Sequence, residues 1–103
     1  MNKGLQIAKS YLQKLKTQGI EITNAYLYGS YAKGTAKPYS DIDICVISAN
    51  FGKDYWEEER KLRNASLKVD PRIEPVVFNP QDFDNKYDTL ATEIRKYGIP
   101  LEV

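Results

Sequence analysis

The run from Asp41 to Ile47, with the sequence DIDICVI, constrains the fold of this chain most. It is rich in β-branched residues, which are typical of strands, and it predicts a strand over 41–47. Because side chains alternate across a strand, one face of this run is apolar and carries Ile42, Ile44 and Val46. That face can be buried against a layer of helices. The same alternation places Asp41 and Asp43 together on the opposite face.

Helical and extended segments alternate along the rest of the chain. Apolar residues at three- and four-residue spacing predict a helix over 4–18 that ends at Gly19. Short apolar runs and turn residues predict the remaining elements. In chain order these are a strand over 25–28, a short helix over 31–33 between Ser30 as N-cap and Gly34, a loop over 35–40, a helix over 54–68, a strand over 73–78, a helix over 87–97 capped by Gly98, and an extended segment over 99–103. This αβαβαβα order predicts one α+β domain over 1–103, with a mixed or parallel sheet covered by helices.

Residue content excludes several classes of function. The chain has 15 Lys and Arg against 14 Asp and Glu, so its overall charge does not indicate nucleic-acid binding. It has no histidine, which excludes Ser-His-Asp and Cys-His catalysis and histidine-liganded zinc. Cys45 is the only cysteine, so we expect no intrachain disulfide and a reducing, cytoplasmic compartment. No apolar run approaches ~18 residues, so we expect neither a membrane span nor a signal peptide.

The paired carboxylates of Asp41 and Asp43 are the first candidate site. Two like charges on one strand face raise a pKa or cost stability unless a cation compensates them. Since only oxygen ligands are available, the favoured ion is Mg²⁺, which binds one or two carboxylates and completes its shell with water and phosphate oxygens. The alternative is that Asp41 is a solvated turn residue and that Asp43 simply faces water.

The turn at Gly29 and Ser30 is the second candidate. A strand that ends at a glycine and turns into a helix exposes backbone N–H groups with no Cβ in the way, which suits the binding of phosphate. If the strands on either side are neighbours, a triphosphate at this turn would lie close to metal ions at the aspartates. The alternative is an ordinary turn and helix cap.

Glu74 is a candidate third acid for a site with two metal ions. It is flanked by apolar residues in the predicted strand over 73–78. The alternative is an exposed edge position, which Pro75 favours because proline cannot donate to a strand ladder. Asp70 competes for the role of third acid, although aspartate directly before Pro71 is typical of a turn.

Together these residues resemble a known motif. Gly29-Ser30, ten intervening residues and Asp41-Ile42-Asp43 are similar to the GS-x10-DxD motif of the minimal nucleotidyltransferases, a branch of the DNA polymerase beta-like superfamily. The intervening Ala32, Lys33 and Gly34 also match, with Lys33 where arginine is common. The resemblance implies a nucleotidyltransferase fold, in which helices surround a mixed sheet. It also implies transfer of a nucleoside monophosphate, most often AMP from ATP, with release of pyrophosphate.

The resemblance further implies a role for each residue. Asp41 and Asp43 would ligate two Mg²⁺ ions, and Glu74, in place of the commoner aspartate, would help to bind the ion that activates the acceptor hydroxyl. The nucleotide-binding residues would be Gly29, Ser30 and Lys33.

The acceptor of the nucleotide is expected on a partner, since 103 residues leave no room for a separate acceptor-binding domain. Minimal nucleotidyltransferases commonly occur as antitoxins paired with HEPN-domain ribonuclease toxins, and the resemblance implies that this chain adenylylates a tyrosine of such a helical toxin. Tyr55 and Trp56 are candidate docking residues, with a place in the core as their alternative. One rival hypothesis is a weak or inactive homologue that neutralises its partner by binding alone. Another is an enzyme that modifies a small molecule or a nucleic acid through a second subunit.

Overall fold

The computed structural model describes residues 3–103, which form five helices and four strands. In chain order these are α1 (Lys3–Thr17), β1 (Asn24–Tyr28), α2 (Ser30–Lys33), β2 (Ile42–Ile47), α3 (Tyr55–Leu67), β3 (Ile73–Phe78), α4 (Pro80–Phe83), α5 (Thr89–Tyr97) and β4 (Ile99–Pro100). The order of strands and long helices confirms the predicted α+β class.

The four strands form one mixed sheet in the order β3-β2-β1-β4. β2 runs antiparallel to β1 and parallel to β3, and β1 also pairs antiparallel with β4. The parallel pair is joined through α3, as parallel neighbours require a crossover connection. β2 therefore lies between the turn that follows β1 and the strand that carries Glu74.

Helices cover both faces of the sheet. Ile42, Ile44 and Val46 are fully buried in a core shared with α1 and α3, as the alternation of the sequence predicts. The buried hydroxyl of Tyr11 in α1 donates to the carbonyl of Leu62 in α3 at 2.7 Å and joins the two helices of this layer. A smaller core on the opposite face contains Cys45, Ile47, Phe78, Phe83, Ala91 and Ile94, and it is closed by α4 and α5.

Side chains that accept hydrogen bonds fix the beginnings of three helices. The carboxylate of Asp54 accepts from the N–H of Glu57 before α3, and that of Asp88 accepts from Ala91 before α5. Asn79 caps α4 in the same way. Within residues 3–103 no helix has both the length and the apolar character needed to cross a bilayer.

Several predicted boundaries were wrong. Ser30 is the first residue of α2 rather than its cap, because Gly29, at φ 71°, already turns the chain into the helix. The last helix begins at Thr89 instead of 87, since Asp88 caps it. Strand pairing in the last segment is limited to Ile99–Pro100. The prediction also omitted α4.

The docking candidates differ in exposure. Trp56 is 83% exposed, so the alternative of a core position is wrong for it. Tyr55 is half-buried, and its hydroxyl donates to Asp82 at 2.6 Å and accepts from the N–H of Asn79 at 2.9 Å.

Candidate active site

Three strands bring polar side chains into one row across the sheet. In the strand register, Asp43 of β2 lies opposite Tyr28 of β1 and Glu74 of β3. Residues that are opposite in neighbouring strands project from the same face. For Asp43 this is the face away from the buried Ile42 and Ile44. The backbone therefore places two of the three predicted acids next to each other.

Asp41 lies one residue before β2 and is exposed, whereas Asp43 is half-buried. Burial raises the pKa of the Asp43 carboxyl, and the negative charges of Asp41 and Glu74 raise it further. Asp41 and Glu74 thus both lie close enough to Asp43 to act on its carboxyl electrostatically. A cation at this position would relieve the repulsion among them.

Gly29 follows β1 directly and lies against Asp43. Its φ of 71° is in the region that favours glycine, and a Cβ built at this position would collide with the Asp43 carboxylate. The Gly29 carbonyl accepts hydrogen bonds from the N–H groups of Ala32 and Lys33, both at 3.1 Å, which closes α2 onto the turn. The structure therefore places Gly29, in the predicted phosphate-binding turn, directly against Asp43 of the carboxylate pair.

Ser30 and Lys33 occupy the two ends of α2. The carbonyl of Ser30 accepts from the N–H of Thr35 at 3.0 Å, beyond the left-handed Gly34. The exposed Lys33 amino group lies 3.4 Å from the Glu93 carboxylate of α5 and 5.8 Å from the centre of the Tyr97 ring. Lys33 is thus held beside α5, at the end of the helix that begins at the turn.

The carboxylate of Glu74 contacts Arg63 of α3, at 3.1 Å. Arg63 also pairs with Glu59, one turn earlier in α3, at 3.1 Å. Within residues 3–103 no three acidic, histidine or cysteine side chains converge as metal ligands. The sheet therefore brings the backbone of Glu74 next to Asp43, but the Glu74 carboxylate is paired with Arg63.

The donor set at Asp41 and Asp43 fits Mg²⁺. Both residues offer carboxylate oxygens, which are the ligands that this ion prefers. Asp43 carries a negative charge that its burial and its neighbours oppose, so a cation would stabilise it. Asp70, the competing third acid, lies in the turn before β3 and accepts two hydrogen bonds from the guanidinium of Arg72, at 2.9 and 3.1 Å.

Sequence reasoning missed Tyr28, which lies in this site, and Arg63, which pairs with one of the predicted acids. Tyr28 lies beside Asp43, and its pKa is raised mainly by burial and then by neighbouring acids, with Asp43 the largest contributor among them. Its position directly before Gly29 is a usable sequence signal. The sequence gives no such signal for Arg63, because an arginine one helical turn after Glu59 is typical of an ordinary ion pair within a helix.

Known proteins resemble this chain over most of its length. The family model described as "Nucleotidyltransferase domain" matches residues 6–97. A candidate protein adenylyltransferase of Methanocaldococcus jannaschii, MJ1305, is 36% identical over 85 residues, which cover 78% of this chain. This chain spans 58% of the length of that relative.

Solved structures of toxin–antitoxin complexes and of a candidate nucleotidyltransferase also resemble this chain. A toxin–antitoxin complex with AMP-PNP matches at a TM-score of 0.63 and 27% identity, over 92% of this chain and 72% of that chain. The toxin–antitoxin complex MntA–HpeT, in a variant with two aspartates changed to glutamate, matches at a TM-score of 0.61 and 25% identity, with the same two coverages of 92% and 72%. A candidate nucleotidyltransferase of Sulfolobus solfataricus has a TM-score of 0.65 at 20% identity, covers 84% of this chain and 76% of its own, and shares the fold. Both the fold and the family predicted from the motif are confirmed, and the chain belongs to the nucleotidyltransferase domain family.

Proposed function

We propose that this chain transfers AMP from ATP to a hydroxyl group of a protein partner. We further propose that the acceptor is a tyrosine of a HEPN-type helical toxin and that the chain acts as its antitoxin. The observation that carries the proposal is the contact of Gly29 with Asp43, which joins a turn suited to phosphate to a pair of carboxylates. The similarity to MJ1305 and to a toxin–antitoxin complex with AMP-PNP supports the choice of a protein acceptor and of ATP.

The residues of the site divide between metal and nucleotide. Asp41, Asp43 and Glu74 would hold Mg²⁺, with two ions as the expected number. When bound, Mg²⁺ neutralises charge on the triphosphate and lowers the pKa of an acceptor hydroxyl. Gly29 and Ser30 would seat the phosphates through the backbone N–H groups of the turn, beside the Asp43 carboxylate that lies against Gly29. Lys33 would add a positive charge near them.

The proposed transfer is a single displacement at phosphorus. The acceptor oxygen forms a bond to the α-phosphorus of ATP while the bond between that phosphorus and the bridging oxygen to the β-phosphate breaks. Pyrophosphate leaves with the electron pair of the broken bond, and the proton of the acceptor hydroxyl passes to water. The protein mainly supplies orientation and electrostatic complementarity, as in other phosphoryl transfers.

The test is transfer of label from ATP carrying ³²P at the α-phosphate. The protein is incubated with Mg²⁺, labelled ATP and the product of the neighbouring open reading frame, and the proteins are separated and counted. We expect label on the partner at a tyrosine, and none with the double variant Asp41→Asn/Asp43→Asn. ATP labelled at the γ-phosphate is the matched control and should leave the partner unlabelled. Absence of label on any partner, with both proteins folded, would contradict the proposal.

One observation favours the rival function of neutralisation by binding alone. Glu74 is paired with Arg63, so the third carboxylate is not gathered with the other two. The same double variant separates the two functions in cells. If growth in the presence of the toxin is still rescued by the variant, binding is sufficient. If rescue is lost while the variant still co-purifies with the toxin, transfer of AMP is required.

A further inference from the structure

Arg63 and Glu74 approach each other from opposite layers of the molecule. Glu74 alternates in β3 with Ile73, whose side chain is buried in the core beneath α1 and α3. The Glu74 side chain therefore starts from the other face, the one that carries Asp43. Arg63 belongs to α3, which covers the Ile73 face together with α1. An ion pair between them has to pass around the border of the sheet.

The position of β3 makes this passage possible. β3 is an edge strand, since the sheet order is β3-β2-β1-β4, so no further strand separates Glu74 from α3 on that side. The Glu74 carboxylate meets Arg63 at 3.1 Å, at the outer side of β3, whereas Asp43 lies on the inner side, in β2. One carboxylate cannot reach both directions at once. The pairing with Arg63 thus explains why the three acids do not converge within residues 3–103.

Arg63 has a second partner that does not depend on Glu74. Its other terminal nitrogen pairs with Glu59 at 3.1 Å, one helical turn earlier. All three side chains are between 43% and 48% exposed, and ion pairs at such positions are weak. A divalent cation between Asp41 and Asp43 can therefore attract Glu74, and Glu59 retains the guanidinium that Glu74 leaves.

We propose that Arg63 is a positioning residue that holds Glu74 away from Asp43 until a divalent cation binds, and that Glu59 takes over Arg63 when Glu74 moves. This inference rests on the proposed function, because it assigns Glu74 to the metal site. Arg63 competes with the cation for one carboxylate, so its removal should increase the affinity of the site for divalent ions. Loss of Glu59 should have the opposite effect, because Arg63 would then pair with Glu74 alone.

The test is a titration of the nucleotide-free protein with Mn²⁺, in which free Mn²⁺ is measured by electron paramagnetic resonance. Arg63→Gln should bind Mn²⁺ roughly twofold to fivefold more tightly than the wild type, the range expected for a weak exposed ion pair. Arg60→Gln is the matched control, because Arg60 lies on the same helix and pairs with Glu57 instead of Glu74. Glu59→Gln should bind more weakly than the wild type.

A double-mutant comparison shows whether the effect passes through Glu74. In the background of Glu74→Gln, the change Arg63→Gln should leave Mn²⁺ affinity unchanged. Unchanged or weaker binding by Arg63→Gln, or tighter binding by Glu59→Gln, would overturn the inference. Thermal melting of each variant establishes that it is folded, and Glu59→Gln tests the inference with Arg63 intact.

A further variant distinguishes the failure of this inference from the failure of the proposed function. If Asp43→Asn binds Mn²⁺ as well as the wild type, or the wild type does not bind it, the proposed metal site and the role of Arg63 are both wrong. If Asp43→Asn abolishes binding and Arg63→Gln matches the wild type, only the role of Arg63 is wrong.

Discussion

At the scale of single residues, Gly29 and Asp43 depend on each other. Gly29 has a positive φ, and the space where its side chain would lie is filled by the Asp43 carboxylate. Gly34, at the other end of α2, also has a positive φ but has no atom within 4 Å of the position of a Cβ. The backbone also differs, because Gly34 is left-handed whereas Gly29, at φ 71° and ψ −151°, lies in a region essentially restricted to glycine. Stability therefore reports backbone strain together with displacement of the carboxylate, and divalent-ion affinity reports the displacement alone.

Alanine substitutions at these glycines should differ in their effects. Gly34→Ala should cost about 1 kcal/mol of stability, the usual penalty for a left-handed residue, and leave divalent-ion affinity unchanged. Gly29→Ala should cost about 3 kcal/mol, because its backbone conformation is essentially restricted to glycine and the methyl group must also displace Asp43. The displacement should weaken binding of Mn²⁺ by more than about tenfold. Urea unfolding and Mn²⁺ titration measure the two quantities. Equal ion affinity in both variants would show that the contact between Gly29 and Asp43 does not matter for the site.

At the scale of elements, the turn between α3 and β3 sets the position of Glu74. The Arg72 carbonyl accepts from the N–H of Ile42 at 2.8 Å, which begins the parallel pairing of β2 and β3. The Arg72 guanidinium pairs with Asp70 and donates to the carbonyl of Pro38 at 3.0 Å. The turn thus holds the loop before Asp41 and the start of β3 together.

Loss of the Asp70 carboxylate should make stability less dependent on pH. Hydrogen bonds from Arg72 hold the pKa of Asp70 below its usual range, so the ionised form is stabilised in the folded protein. This contribution is present above the unfolded pKa of about 4 and is lost as pH falls through the lower folded value. Asp70→Asn should cost about 1–2 kcal/mol at pH 7 and progressively less below about pH 4.

Urea unfolding of both proteins at pH 7, 5 and 3 checks this prediction. Asp84→Asn, which changes an exposed carboxylate, is the control and should stay within about 0.5 kcal/mol of the wild type throughout. A difference between Asp70→Asn and the wild type that is as large at pH 3 as at pH 7 would exclude a role for the charge of Asp70.

At the scale of the whole molecule, the sheet is stabilised by its cores, while its charged site opposes folding in the absence of a cation. Asp43 is half-buried beside two other acids, so its charge is costly in the folded protein. A ligand that binds the folded state compensates this cost and adds stability of its own. Stability and ligand binding should therefore change in opposite directions when Asp43 is neutralised.

Asp43→Asn should melt at a temperature roughly 2–4 °C above the wild type when no divalent ion is present. Mg²⁺ with ATP at one hundred times the dissociation constant should stabilise the wild type by about 2.7 kcal/mol and should leave the variant nearly unchanged. Differential scanning calorimetry measures both effects. The assignment of Asp43 to the ligand site would be refuted by equal stabilisation of the two proteins.

The strands and long helices were predictable because each spans enough residues to show its period. Helix α4 has four residues, about one turn, and its cap Asn79 and first residue Pro80 indicate a turn equally well. The alternation in 41–47 placed Asp41 and Asp43 on one face, but the register that aligns Asp43 with Glu74 depends on the turn at Asp70. No local pattern contains such information.

The outer edge of β3 also limits how another chain can bind there. In a parallel pair alternate residues bond to the neighbouring strand, so Ile73, Pro75 and Val77 direct their backbone groups outward. Proline has no N–H, and the N–H of Ile73 already donates to the carbonyl of Asp70 at 3.2 Å. Two of these three positions therefore offer no donor to an added strand, which protects the edge against intermolecular β-pairing and aggregation. A protein that approaches this side finds at most one outward backbone donor, at Val77, and has to bind mainly through side chains.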